Sequence, residues 1–256
     1  MVALTLNGGL GNDVLVGSVG DDVVVGGDGN DVALMGDGND TFIWNPGDDN
    51  DTIEGQRGFD TMLFNGANVS ENFSISRNGG RVLFTRNVAN VVIDLNDMED
   101  IDLNALGGAD FVTVNDLSGT DVVQIDVNLA ATGGGGDSQI DNVIVNATNG
   151  NDVVLATGDA TAASVLGLPW IVNIFGTEAT LDQLSINLLA GDDVLDASGL
   201  VAMAIRLLGN GGDDNDVLIG GDGADTLLGG LGDDVLIGGP GIDILDGGPG
   251  NNIVIQ

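Results

Sequence analysis

A nine-residue spacing of aspartates constrains this chain more than any other feature. Asp13, Asp22, Asp31 and Asp40 stand nine apart. After a two-residue slip the series resumes at Asp51 and Asp60, and it returns near the C-terminus as Asp216, Asp225, Asp234 and Asp243, with Asn252 in the following slot. The surrounding text is nearly constant: Gly8-Gly9-Leu10-Gly11-Asn12-Asp13-Val14-Leu15-Val16 reappears as Gly229-Gly230-Leu231-Gly232-Asp233-Asp234-Val235-Leu236-Ile237. A fixed short period marks a repeat architecture, in which each unit buries its apolar face only against its neighbours.

Each unit splits into two halves. Gly-Gly-x-Gly-x-Asp makes a turn, because glycine admits positive φ and close backbone approach. The next three residues are apolar and mostly β-branched, which favours a very short strand. Nine residues are too few for a helix plus a strand, and no i, i+3, i+4, i+7 apolar pattern accompanies the repeats, so helix is rejected. Alternation along a strand turns the middle residue of each triplet inward. The expected core is Leu15, Val24, Ala33, Phe42, Ile53 and Met62 in the first block, and Leu218, Leu227, Leu236, Leu245 and Val254 in the second. Two turns and two strands close one coil of 18 residues. Successive coils stack as parallel strands about 4.8 Å apart, placing Leu15 under Ala33.

Stacking creates an electrostatic problem. Asp13 falls over Asp31, and Asp22 over Asp40. Two carboxylates ~5 Å apart repel by about 3 kcal/mol at an effective dielectric of 20, and a row of such pairs exceeds the ~5–15 kcal/mol of a typical net stability. The chain supplies few counter-charges: 40 acidic residues face 5 arginines and no lysine, for a net charge of −35. The ladder therefore needs cations from outside. Without cysteine or histidine, only oxygen ligands are on offer, so soft metals lack their donors. Disulfides, zinc fingers and histidine-based triads are excluded on the same ground. A hard divalent ion fits, and calcium better than magnesium, because it accepts 6–8 oxygens in irregular geometry.

The same charge disfavours nucleic acid and anionic lipid as partners. The chain is nevertheless no disordered acidic tail, since 43% of it is hydrophobic. Asp outnumbers Glu nine to one, which suggests carboxylates set in tight turns. No run reaches the ~20 apolar residues of a membrane helix, and the opening MVALTLNGG lacks the features of a Sec signal peptide.

At these residues the chain resembles the RTX (haemolysin-type) calcium-binding family, whose nonapeptide is Gly-Gly-x-Gly-x-Asp-x-U-x. The resemblance covers residues 8–63 and 211–255. It implies a right-handed parallel β-roll, calcium held between turns two repeats apart, and type I secretion from a bacterium. It also implies ligands: the aspartates together with the carbonyls of the second and fourth glycines. In the first block these are Gly9, Gly11 and Asp13, then Gly20 and Asp22 (Ser18 replaces the second glycine), then Gly27, Gly29 and Asp31, then Gly36, Gly38 and Asp40. Asp51 and Asp60 continue the series, although Asp49 replaces a glycine and Arg57 brings a positive charge into the turn. In the second block the set is Gly212 and Asp216, with Asp214 at the fourth glycine position; Gly221, Gly223 and Asp225; Gly230, Gly232 and Asp234; and Gly239, Gly241 and Asp243. Pairing across one coil implies roughly four calcium ions in the first block and about three in the second, about seven in all.

Residues 64–207 lack the nonapeptide but keep short strand-like runs at 91–95, 111–114, 142–145, 152–155 and 184–188. Gly-x-Asp turns such as Gly108-Ala109-Asp110 and Gly150-Asn151-Asp152 precede several of them. The spacing predicts a wider parallel β-solenoid with rungs of about 20 residues, continuous with the rolls. The alternative is a separate β-sandwich, with 133–136 as a glycine linker. The expected organisation is an N-terminal calcium-binding roll over 1–63, an irregular β-solenoid over 64–207 and a C-terminal calcium-binding roll over 208–256. Isolated turn aspartates in the middle read as turn formers. Asp193 is the best ligand candidate among them, because Val194-Leu195-Asp196 continues the repeat.

The expected function is a non-catalytic structural or adhesive module of a secreted, extracellular bacterial protein, with folding coupled to calcium. The rival is a secreted polysaccharide-processing enzyme with its site in the middle solenoid. Lysine, histidine and tyrosine are absent, so only carboxylates and Arg77, Arg81, Arg86 and Arg206 remain for such chemistry. Asp97, Glu99, Asp100 and Asp102 form a cluster suited to glycoside hydrolysis. Its plainer reading is a solvated acidic turn with Arg77, Arg81 and Arg86 as charge partners. The glycine turns are not phosphate cradles, as no helix follows and the field is negative. Outward positions Val14, Val16, Val23, Val25, Val32, Leu34, Val217, Ile219, Val235 and Ile237 are apolar. They read either as edge-of-core burial or as a surface for self-association.

Overall fold

The computed structural model describes residues 2–256. Every apolar triplet of the repeats lies in a strand, and each strand pairs with the one a full coil away. Thr5–Leu10 pairs parallel with Val23–Asp28, which pairs with Thr41–Trp44. On the opposite side Val14–Ser18 pairs with Val32–Asp37, and that strand with Thr52–Arg57. Leu15 sits in register with Ala33 and Val24 with Phe42. Among the described residues the strands form one 13-stranded and one 12-stranded sheet, and their inward side chains fill the space between. The fold is an all-β parallel roll and solenoid.

Both sheets run on through the middle without a break. Thr61–Asn65 pairs parallel with Asp100–Asn104, and Val194–Leu200 with Val217–Ile219. The sandwich alternative is thereby excluded. Residues 133–136 are not a linker but part of a turn, in which Gly134 N–H donates to the Ala131 carbonyl at 2.8 Å and Ala131 N–H to that of Gly135 at 2.9 Å.

Some rungs of the middle are near the expected length, such as 23 residues from Asp193 to Asp216, but others are much longer. Equivalent positions lie 39 residues apart from Asp60 to Glu99, 31 from Asp110 to Asp141 and 41 from Asp141 to Asp182. Part of the excess is antiparallel chain inserted into the parallel sheets. Asn72–Asn78, Arg81–Arg86 and Val91–Asn96 form one such meander. Its first hairpin closes through Gly79-Gly80, a two-residue loop in which Gly79 has a φ of 71°. Val153–Gly158, Ala162–Leu166 and Ile171–Phe175 form a second.

The expected core residues are buried, except at the last coil. Leu245 is only partly buried, and Val254 is 48% exposed. Val254 was expected inside, but its strand Ile253–Ile255 pairs on one side only, with Val235–Ile237. Of the outward apolar positions, Val23, Val25, Val32, Leu34, Val217, Ile219, Val235 and Ile237 are half-buried between neighbouring rungs. Val14 and Val16, on an edge strand, are exposed.

Where the coil first lengthens, aromatic rings fill it. Trp44 stacks on Phe64 at 4.1 Å, Phe84 lies 4.5 Å from Phe64, and Phe73 meets Phe64 edge-on at 5.8 Å. All four are buried. Phe64→Ala is expected to lower the stability of the calcium-loaded chain by about 3–5 kcal/mol, read from its urea midpoint.

Two ladders of asparagine amides hold rungs of the middle together. One runs Asn128 to Asn104 to Asn65 to Asn45, each Nδ2 donating to the next Oδ1. The other runs Asn210 to Asn187 to Asn146 to Asn115. Each such bond replaces one between amide and water, and together they pin the register of the strands they follow.

Candidate metal centres

In most repeat turns the aspartate side chain is held by its neighbour. Its Oδ1 accepts the backbone N–H of the aspartate one coil earlier: Asp13 donates to Asp31 at 2.7 Å, Asp22 to Asp40 at 2.7 Å, Asp31 to Asp51 at 2.9 Å and Asp40 to Asp60 at 2.8 Å. The second block repeats this, from Asp193 to Asp216 at 2.9 Å, Asp216 to Asp234 at 3.0 Å and Asp225 to Asp243 at 3.1 Å. The carboxylates thus stand in columns with fixed register.

The second oxygen is different. Oδ2 of Asp13, Asp31, Asp40, Asp51, Asp60, Asp193, Asp216 and Asp234 is buried and has no hydrogen-bond partner among the described residues. A buried acceptor left unpaired costs about 1–3 kcal/mol, and more when charged. Asp40, Asp51, Asp60, Asp193 and Asp216 respond by holding their protons. Burial, with repulsion from Asp31, Asp48 and Asp49, pushes Asp51 up to about 7 against the backbone N–H of Asp31 that favours its anion. Burial and the neighbouring carboxylates likewise push Asp60 and Asp216 to about 7 and Asp193 to about 6.

The last rung shows what those oxygens face. Asn252 occupies the aspartate slot, and its Oδ1 accepts the Asp234 N–H at 2.8 Å as an aspartate would. Its Nδ2 donates to the carbonyls of Gly247 at 2.7 Å and Gly248 at 2.9 Å. Asp234 Oδ2 lies beside Gly229 as Asn252 Nδ2 lies beside Gly247. In the aspartate rungs an anionic oxygen therefore takes the place of an amide donor. Acceptors crowd together there with no donor between them. That donor set fits a hard, oxygen-seeking dication. Among the described residues no three acidic side chains converge on one point, so turn carbonyls would have to complete any coordination shell.

The conformation of one residue decides which turns are left in this state. It stands four positions before the carboxylate. It is left-handed at Gly9, Gly27, Gly36, Gly47, Gln56, Leu189, Gly212 and Gly230, with φ from 75° to 114°. These are the turns of the eight unpartnered oxygens. At Ser18, Ala67, Thr148, Glu178 and Gly221 it is not left-handed. There its own N–H donates to the second carboxylate oxygen of Asp22, Glu71, Asp152, Asp182 and Asp225, respectively. Asp22 accordingly titrates below the usual carboxylate range, since the N–H groups of Leu4 and Ser18, with the Ser18 hydroxyl, outweigh its burial. Asp243 Oδ2 accepts from Gln256 at 2.9 Å.

Close stacking also dictates glycine at some of the fourth motif positions. A Cβ on Gly29, whose φ is 135°, would stand 2.4 Å from the Gly11 carbonyl oxygen one coil away.

The column continues through the middle, where the sequence suggested turn formers. Asp60 N–H donates to Glu99, Glu71 N–H to Asp110, Asp110 N–H to Asp141, Asp141 N–H to Asp182 and Asp152 N–H to Asp193. Gly-x-Asp turns could have pointed to Asp110 and Asp152. Glu71, Glu99 and Asp182 carry no such signal.

The members of the acidic cluster have different partners, and Asp102 lines a cavity of about 260 Å³ together with Asp126. Glu99 belongs to the column. Asp100 accepts a hydrogen bond from Thr61 Oγ1 at 3.3 Å, and burial together with Asp102 and Asp126 pushes it to about 7. The arginines are not its ion-pair partners, contrary to expectation. Arg81 pairs with Glu54 at 2.8 Å and Asp94 at 2.7 Å, Arg86 pairs with Glu71, and Arg77 donates to the Gly79 carbonyl at 2.7 Å. Arg81 nevertheless acts on the cluster by its charge, opposing the rise that burial imposes on Asp97. A cavity of about 630 Å³ lies elsewhere, lined by Phe73, Thr85, Val92, Phe111 and neighbours, with no carboxylate in its wall.

No curated protein matches the chain. The RTX calcium-binding nonapeptide repeat matches it in four copies, over residues 7–42, 46–62, 210–236 and 228–255. Seven of the ten unpartnered carboxylate oxygens lie within those stretches, and the two terminal blocks of this chain are RTX calcium-binding nonapeptide repeats.

Proposed function

We propose that this chain is a calcium-folded, non-catalytic structural or adhesive module of a secreted bacterial protein. The observation that carries the reading is the row of buried carboxylate oxygens that face turn carbonyls with no donor between them. Calcium in these turns would supply the missing positive charge. One ion for each unpartnered oxygen of the terminal blocks gives about seven, the number reached by pairing repeats across one coil. Asp193 and the carbonyls of its turn would hold one more. In the turns of Asp22 and Asp225 a backbone N–H already occupies that oxygen, so these turns would bind through the carbonyls of Gly20, Gly221 and Gly223 and add no separate ion.

RTX repeats are typical of secreted bacterial proteins, and calcium sites of extracellular modules bind at about 10⁻⁴–10⁻³ M. The rolls over 1–63 and 208–256 would then stay open in low calcium and close outside the cell, with 64–207 as the scaffold between them. Binding and folding become one event, because the turns are preorganised only in the folded state. The separation of the acidic cluster from the apolar cavity supports the absence of catalysis. Among the described residues no helix is long and apolar enough to cross a membrane.

Circular dichroism of the chain in chelator and in millimolar calcium tests the coupling. The expected result is a largely unordered spectrum that becomes β on adding calcium. Identical spectra in the two conditions would overturn the reading.

A further inference from the structure

We propose a calcium site at Asp110, in a turn that the nonapeptide matches do not reach; the proposal rests on the calcium reading above. Residues 105–110, Ala-Leu-Gly-Gly-Ala-Asp, are a repeat turn in conformation though not in sequence. Asp110 Oδ1 accepts the Glu71 N–H at 2.8 Å, and Asp110 N–H donates to Asp141 Oδ1 at 2.8 Å, as in the terminal columns. Gly108 fills the fourth motif position. A Cβ there would lie 2.5 Å from the Val69 carbonyl oxygen, much as one on Gly29 would meet Gly11.

The second carboxylate oxygen of Asp110 is the independent sign of a ligand. The residue is 1% exposed, and its Oδ2 has no partner. Four positions earlier stands Leu106, with a φ of 72°. A branched side chain in the left-handed region costs of order 1–3 kcal/mol and persists only where its surroundings hold it. That conformation keeps the Leu106 N–H from donating to Asp110, as Ala67, Thr148 and Glu178 do for their own carboxylates. The turn thus holds a strained residue in the one geometry that leaves the carboxylate unsatisfied.

The surroundings offer oxygen. Asn68, Ser70, Gly107, Gly108 and Asp137 line a cavity of about 600 Å³ beside the turn. Asp137 accepts the Gly108 N–H at 2.8 Å. Arg86 is near enough for its charge to act on Asp110, but its ion pair is with Glu71. Asp110, Asp137 and Asp141 are left without an ion pair.

Crystals of the full chain grown in millimolar calcium, with anomalous scattering from the ion, test this directly. Density within bonding distance of Asp110 is the expected result. Ions in the terminal turns with none at Asp110 would overturn this proposal alone, whereas no ion anywhere would overturn the calcium reading with it. In solution, equilibrium dialysis with radiolabelled calcium should show Asp110→Asn binding one ion fewer than the parent chain, while Asp182→Asn, whose carboxylate already has the Glu178 N–H, binds the same number. Equal loss in both variants, or in neither, would count against the site.

Discussion

Acid will fold this chain in the absence of calcium. Burial and mutual repulsion hold Asp51, Asp60, Asp100, Asp110, Asp141 and Asp216 at about 7 and Asp193 at about 6 in the folded state, against 3.8 for an unperturbed aspartate. A carboxyl with a raised folded value binds more protons folded than unfolded. Its contribution to stability is therefore fully present below about 4 and is lost as the pH climbs through about 7. Seven such groups act in the same direction. In chelator, lowering the pH from about 8 to about 5 should turn an unordered spectrum into a β spectrum, with the proton doing part of the work of the ion. In calcium the sign reverses, because the ligands must be deprotonated to bind, and acid should release the metal. Circular dichroism against pH, with and without calcium at constant ionic strength, checks both arms. A metal-free chain that gains structure as the pH rises would show that these carboxylates are not confined as described.

Asparagine in place of column aspartates should make the roll independent of calcium. Asn252 is the natural precedent, bonding both to the rung before it and to the carbonyls of Gly247 and Gly248. Asp216→Asn and Asp234→Asn together keep the Oδ1 acceptor and supply a donor where an anion stood. Each change is expected to raise stability in chelator by about 1–3 kcal/mol and to remove about one bound ion. In saturating calcium the double variant should be less stable than the parent, since it forgoes the binding energy of those ions. Urea unfolding in the two conditions gives both numbers. A fall in chelator stability would mean that the carboxylate oxygens had partners after all.

Much of this architecture was legible before any coordinates. The aspartate period sets the coil length, and apolar triplets in phase with it name the inward residues from Leu15 to Leu236. Repetition makes such inferences safe, because each unit meets a copy of itself and local pattern becomes tertiary contact. The all-oxygen donor set follows from composition alone.

Legibility ends where the coils stop being equal. Glu71, Glu99 and Asp182 join the carboxylate column across inserted hairpins and loops, and no spacing in the chain foretells those partners. Val254 carries the same pattern as Leu236 yet is exposed, because its strand is the last of its sheet and no further coil covers it. The choice between a turn that satisfies its own carboxylate and one that calls for a cation rests on a single φ angle, left-handed at Leu106 and Leu189 and not at Ser18 or Gly221. Residue identity does not dictate that angle at these four positions, since two leucines adopt it and a glycine does not. The periodic chain by itself determined that aspartates would stand in columns, because their register is built into the repeat. Only the packed structure decided which of their oxygens are left bare, because that depends on where each backbone N–H is turned once the rungs are in contact.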